Sequence, residues 1–159
     1  MRGADLSNAD MMGPGLGTTN LNRADLSGAD LSGAQMGTST FHNTNFSGAN
    51  LTGAQIFVNE FYGTNFRNAN LEQVTIRGPI KMVDVNLAGA NLMLQGIKNI
   101  LPTEVGRGGL HLINVNLRGT DLRGLDMSRV SLKNVVYDAD TRWPAGFTPP
   151  TETTVYDPD

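Results

Sequence analysis

From Ala4 to Ile76 an apolar residue returns at every fifth position without a miss: Leu6, Met11, Leu16, Leu21, Leu26, Leu31, Met36, Phe41, Phe46, Leu51, Ile56, Phe61, Phe66, Leu71 and Ile76. A helix buries a stripe spaced by three and four, and a half-buried strand one spaced by two, so neither ordinary element fits. A small residue stands two places before most of these anchors, as at Ala4, Ala24, Ala29, Ala49 and Ala69. Alternate side chains of an extended segment point the same way, so the anchor and the residue two before it turn inward together. The other three positions are mostly Asp, Asn, Ser, Thr, Gly or Arg, which suits a solvated outer surface with corners. Glycine reaches positive φ at such corners without steric cost, and Gly28, Gly33, Gly48, Gly53, Gly63, Gly89, Gly119 and Gly124 fall at one of them.

A longer repeat sets the number of sides. Thr44-Asn45-Phe46 returns as Thr64-Asn65-Phe66, Ala49-Asn50-Leu51 as Ala69-Asn70-Leu71, and Phe41 as Phe61, all twenty residues apart. Like side chains stack when coils lie about 4.8 Å apart, so four units of five make one square coil. Such units, Ala24-Asp25-Leu26-Ser27-Gly28 and Ala49-Asn50-Leu51-Thr52-Gly53 among them, resemble the pentapeptide-repeat family over about residues 4 to 135. The resemblance implies an all-β, right-handed quadrilateral β-helix, here of about six coils with one looped-out insertion and a C-terminal cap. A leucine-rich repeat shares a period near twenty, but its uneven leucine spacing does not match an unbroken five.

The register breaks twice. After Ile76 the anchors become Met82, Leu87, Leu92 and Ile97, one residue late, with Gly78-Pro79 at the slip, which predicts a one-residue bulge near 77–81. The next anchors are Leu112, Leu117, Leu122, Met127 and Leu132, so ten residues are looped out and residues 98–109 form the excursion. The outward position after one column of anchors reads Asn22, His42, Tyr62, Val83, Ile113, Lys133, which puts three apolar or aromatic residues outside in consecutive coils. The excursion leaves and returns beside this column. Two readings follow: Ile100, Leu101 and Val105 fold over Tyr62, Val83 and Ile113 as a local cover, or the same residues form a partner-binding site.

The ends of a repeat stack need caps. Residues 1–136 are expected to form the β-helix and 137–159 its cap and tail, with Trp143 and Phe147 covering the last coil. Trp143-Pro144-Ala145-Gly146-Phe147 resembles the Trp-Pro-x-Gly-Phe tails of cyanobacterial members of the family. The N-terminus begins inside the repeat, which leaves open an upstream domain, end-to-end self-association through the first coil, or simple exposure. Within the core, Phe41, Phe46, Phe61 and Phe66 are expected to stack in adjacent coils.

Composition narrows the chemistry. The chain of 159 residues has no cysteine, so disulfides, thiolate metal sites and thiol nucleophiles are excluded. Neither a secretory leader nor a run of about 18 apolar residues is present, and a cytoplasmic protein without membrane contact is expected. His42 and His111 have no partner ligand at metal spacing; Gly13 to Gly17 and Gly106 to Gly109 lack the Lys-Ser/Thr of a phosphate loop; Asp5, Asp10, Asp25 and Asp30 occupy the position of the asparagines. No catalytic residue, metal or cofactor is therefore expected.

Three classes of function remain. The first is a non-enzymatic scaffold for an unidentified protein partner. The second follows from the family's quinolone-resistance members, whose resemblance implies DNA mimicry and gyrase binding; mimicry needs continuous acidity, whereas residues 61–136 hold nine Lys or Arg against five Asp or Glu. The third is nucleic-acid binding through Arg118, Arg123, Arg129 and Lys133 as a basic strip, opposed by a net charge of −3 and a pI near 5.3.

Overall fold

The computed structural model describes residues 1–13, 15–17, 19–37, 41–57, 60–76, 80–93 and 109–151. Every regular element among them is a strand, apart from one 3-10 turn at Met127–Arg129. Strands β1 (Gln35–Met36), β2 (Gln55–Ile56) and β4 (Thr75–Ile76) form one parallel sheet. A second parallel sheet orders β3 (Glu60–Tyr62), β5 (Ile80–Val83), β6 (Leu110–Asn116) and β7 (Val130–Val136) side by side. Two further sides are built from single bridges, one running Asp5, Asp25, Asn45, Asn65, Asn86, Asn116 and the other Asp10, Asp30, Asn50, Asn70, Asn91, Asp121, Arg142. The chain thus winds as the right-handed β-helix that the family resemblance implies, with the four sides that the twenty-residue repeat sets. Its first side carries anchors Leu21, Phe41, Phe61, Met82, Leu112 and Leu132; the second begins at Leu6, the third at Met11 and the fourth at Leu16.

Local chemistry explains why the second and third sides never become long strands. Each unit closes with a turn in which the small inward residue donates back to the preceding anchor, as Ala29 N–H does to the Leu26 carbonyl at 3.1 Å. The Asp or Asn before each anchor tightens the unit by accepting from the backbone two residues on: Ser27 N–H to Asp25 Oδ1 at 2.9 Å, Arg67 N–H to Asn65 Oδ1 at 3.0 Å. Such Asx turns compete with an extended ladder and turn the chain every five residues. The same side chains also link coils, since Asn45 Nδ2 donates to Asp25 Oδ1 at 3.0 Å and Asn65 Nδ2 to Asn45 Oδ1 at 3.0 Å. The position is therefore more than an outward polar one. The ladder donates from a later coil to the one before it and ends on the carboxylates of Asp25 and Asp30, which have no amide to pass on.

Inside, the anchors and their small partners form one core, with Leu21, Leu26, Leu31, Leu51 and Leu112 fully buried. Phe41 lies flat on Phe61 with ring centres 5.6 Å apart, and Phe46 on Phe66 at 5.1 Å; neighbouring rings on adjoining sides meet edge to face, Phe41 to Phe46 at 5.5 Å and Phe61 to Phe66 at 5.6 Å. All four rings are at most 1% exposed. Threonine replaces alanine at several small inward positions without leaving its hydroxyl stranded. Thr44 donates to the Leu21 carbonyl at 2.8 Å, Thr120 to that of Leu87 at 2.7 Å, and Thr64 to that of Phe41, so the buried polar group is satisfied.

Coil-to-coil offsets follow both breaks. Asn45 pairs with Asn65 twenty residues on, Asn65 with Asn86 after twenty-one, and Asn86 with Asn116 after thirty, before Leu112 returns to a twenty-residue step at Leu132. Residues 77–79 and 94–108, where the bulge and most of the excursion fall, lie outside the described residues. One register differs from the pattern: Gly17, not Leu16, bridges Met36, nineteen residues away.

The corners need positive φ, but glycine is only one way to supply it. Asn8, Asn43, Asn68, Asn114 and Asn134 adopt it too, as do Arg23, Gln73 and Asp84. Asn tolerates this region better than most residues. Where a glycine follows an asparagine one coil later, space is the second reason: a Cβ on Gly63 would lie 2.3 Å from Asn43 Oδ1. Gly124 corrects the expectation of a shared corner conformation. Its φ is not positive, and it is small because a Cβ there would meet the Met93 Cα at 3.1 Å.

Pairing runs on through Arg142. Arg142 donates to the Thr120 carbonyl at 2.9 Å and accepts from Leu122 N–H at 2.8 Å. Trp143 follows Arg142 as Leu122 follows Asp121, and Tyr137 follows Val136 as Leu117 follows Asn116. Both are partly buried and pack on the core. Trp143 meets Tyr137 edge to face and Phe147 at a tilt, each at 5.3 Å, and the Tyr137 hydroxyl donates to the Pro150 carbonyl at 2.6 Å. Asp138 Oδ1 accepts from Gly119 N–H at 2.9 Å, where a further coil would have offered a carbonyl.

Candidate interaction surface

The second and third sides carry outward residues that are occupied with Asx turns or with one another; the first side differs. Its strands β3, β5, β6 and β7 lack the Asx turn, so both outward rows lie on a regular parallel sheet. In the row after the anchors, Tyr62 pairs with Val83, Val83 with Ile113 and Ile113 with Lys133. Tyr62, Val83 and Ile113, singled out in the sequence, are thus brought into one column, each half-buried. Ile100, Leu101 and Val105 lie outside the described residues. His42 extends the column, its ring edge-to-face with Tyr62 at 5.3 Å while its backbone N–H donates to Asn22 Oδ1.

The row before the anchors was not singled out from the sequence, yet it carries the charge. There Glu60 pairs with Lys81, Lys81 with His111 and His111 with Ser131. Lys81 Nζ donates to the Tyr62 hydroxyl at 3.2 Å and sits 5.6 Å from its ring centre. That hydrogen bond, aided by Glu60, favours the ammonium and raises its pKa above the usual lysine range. The signal was present in the sequence: these residues stand two places before Tyr62, Val83 and Ile113, on the same face of an extended strand.

Charge elsewhere is arranged differently from either sequence alternative. Asp5 and Asp25 stand on the second side and Asp10 and Asp30 on the third, and later members of both columns are mainly asparagine. The carboxylates therefore cover two coils and do not continue. The basic strip is corrected outright. Arg118 follows the anchor of the second side, Arg123 that of the third, Arg129 ends the turn on the fourth and Lys133 follows the anchor of the first. Residues five apart face directions a quarter-turn apart, so these cations ring the coil. Arg123 is moreover held by Asp121 through Nη2 to Oδ2 at 2.6 Å, with Arg142 3.8 Å from the same oxygen.

The Asx turns also bear on pH. The Ser7 hydroxyl and N–H hold Asp5 below the usual carboxylate range, Ser32 does so for Asp30, Ser128 for Asp126 and the Arg123 guanidinium for Asp121. At Asp138 burial opposes ionisation, but donors from Gly119, Thr141 and Asp140 outweigh it and lower the pKa. A folded-state pKa below the unfolded one adds stability that is fully present above about pH 4 and lost as pH falls through the folded value. Chemical denaturation midpoints are therefore expected to hold steady from pH 7 to 5 and to drop below pH 4. A midpoint that rises on acidification would contradict the turns.

Among the described residues no three of His, Asp and Glu come together as a metal ion would require, and no helix is long and apolar enough to cross a membrane. The sequence matches the model for pentapeptide repeats in eight copies over residues 19–55 and 109–136. No curated protein matches it. Among solved structures it is similar to Rfr23, a pentapeptide repeat protein from the cyanobacterium Cyanothece 51142, at 23% identity over 89% of this chain and 88% of that one, with a TM-score of 0.30. It is similar to a trypsin-treated form of QnrB1, a plasmid-mediated fluoroquinolone resistance protein, at 19% identity over 85% and 78%, with a TM-score of 0.31. A pentapeptide repeat protein from the thylakoid lumen of Arabidopsis thaliana is 24% identical over 73% and 59%, with a TM-score of 0.26.

Proposed function

We propose that this chain, which belongs to the pentapeptide-repeat family, is a non-enzymatic scaffold that presents its first side to a protein partner. The column Tyr62, Val83 and Ile113 carries the reading. The exposed Met12 and Met93 stand singly, whereas an in-register apolar column on a regular sheet is a feature that solvation of the rod does not require.

The test is affinity capture from source-cell lysate with the intact chain and with Val83→Asp/Ile113→Asp, whose outward positions leave the core untouched and whose folding is checked by circular dichroism. Loss of the captured protein from the folded variant is the expected result. An unchanged capture would move the interaction to another side. DNA mimicry toward gyrase is the less supported reading, because the carboxylates of the second and third sides span two coils only; protection of gyrase from a quinolone in a supercoiling assay would install it instead.

A further inference from the structure

The first side also limits what kind of partner segment fits it, and this step rests on the reading just given. Its four strands are hydrogen-bonded to one another in the order β3, β5, β6, β7, so over these rows the face offers side chains and no free backbone for an added strand. The apolar column runs along the axis of the solenoid, across the strands, with one residue per coil at about 4.8 Å. An α-helix laid along that axis advances about 5.4 Å per turn, and so brings one side chain over each of Tyr62, Val83 and Ile113. An extended segment in the same direction rises about 3.3 Å per residue with alternate side chains turned away, a repeat that falls out of step with the coils.

The two lysines of this side, Lys81 and Lys133, set the sign. Beside the column stand Lys81, with its ammonium held against the Tyr62 hydroxyl, and His111, while Lys133 closes the column at its C-terminal end. Glu60, the single carboxylate in the two described rows from Glu60 to Lys133, faces Lys81 in register, and Asp84, just beyond Val83, accepts from Asn114 Nδ2 at 2.8 Å. We infer that the first side docks an amphipathic helix of a partner protein, with apolar residues at i, i+3 or i+4, and i+7 over Tyr62, Val83 and Ile113, and with acidic residues on the flank that meets Lys81 and His111.

Two labelled helical peptides of identical apolar stripe test this, one with glutamate and one with lysine on the flank, titrated with the intact chain by fluorescence anisotropy. Tighter binding of the acidic peptide is expected, weakened at least tenfold by Ile113→Asp and by added salt, with the preference reversed in Lys81→Glu/Lys133→Glu. Equal binding of both peptides, binding of neither, or an acidic-peptide affinity unmoved by Ile113→Asp overturns the inference. A photo-crosslinker at position 83, with the captured peptide identified by mass spectrometry, separates the two levels. An acidic helical segment supports both; a segment of other chemistry removes the helix and keeps the scaffold face; no crosslink to any protein removes both.

Discussion

Phe66→Ala is expected to lower the stability of the chain by about 3–5 kcal/mol, the range for removing a fully buried aromatic ring. Phe66 stacks on Phe46 in the coil below and meets Phe61 edge to face on the adjoining side, so truncation removes one corner of a four-ring square and two of its four contacts. Offset and edge-to-face aromatic pairs contribute beyond the area they bury. Relaxation is poor here, because each coil is fixed by backbone bonds above and below, as when Phe66 N–H donates to the Asn86 carbonyl at 2.7 Å, and a held cavity costs more than one that collapses. Differential scanning calorimetry would register a melting temperature lower by roughly 10 °C for a domain of this size. A shift near zero would mean that the ring does not sit in the core.

Cutting the chain after Val136 is expected to give larger species than the intact protein and a lower melting temperature. The cut removes the bonds from Leu122 N–H to the Arg142 carbonyl, from Arg142 N–H to the Thr120 carbonyl, from Gly119 N–H to Asp138 and from the Thr141 hydroxyl to the Leu117 carbonyl. At about 1 kcal/mol each these losses reach several kcal/mol, before the packing of Tyr137 and Trp143 on the core is counted. The newly bared coil is an unpaired parallel edge with an apolar rim, the surface that repeat proteins normally cover. Light scattering coupled to size exclusion reads the result directly. A truncated chain with the mass and melting point of the intact one would show that residues beyond Val136 do not cap the stack.

Much of the fold was legible because its rule is local. A five-residue unit contains its own turn, its own inward pair and its own corner, so the anchors, the four sides and the stacking of Phe41 on Phe61 could be read from spacing alone. The two register breaks were legible for the same reason: Ala90-Asn91-Leu92 resumes the unit whatever path precedes it. The tail was harder. Trp143 takes the anchor position six residues after Tyr137, not five, which hides that Thr141 stands two places before an anchor and bonds the Leu117 carbonyl as Thr44 bonds that of Leu21.

The candidate surface divides along the same line. Sequence alone determined that Tyr62, Val83 and Ile113 face outward in successive coils, because inward and outward are set by alternation within a strand. Only the tertiary structure decided that Lys81 reaches the Tyr62 hydroxyl, that the asparagines bond from one coil to the one before, and that four cations four to six residues apart ring a coil instead of lining a groove. Those outcomes depend on which side chains meet across about 4.8 Å between coils, and on the quarter-turn that each unit adds. A repeat of five residues encodes the turn, whereas the partner twenty, twenty-one or thirty residues away is chosen by the coil as a whole.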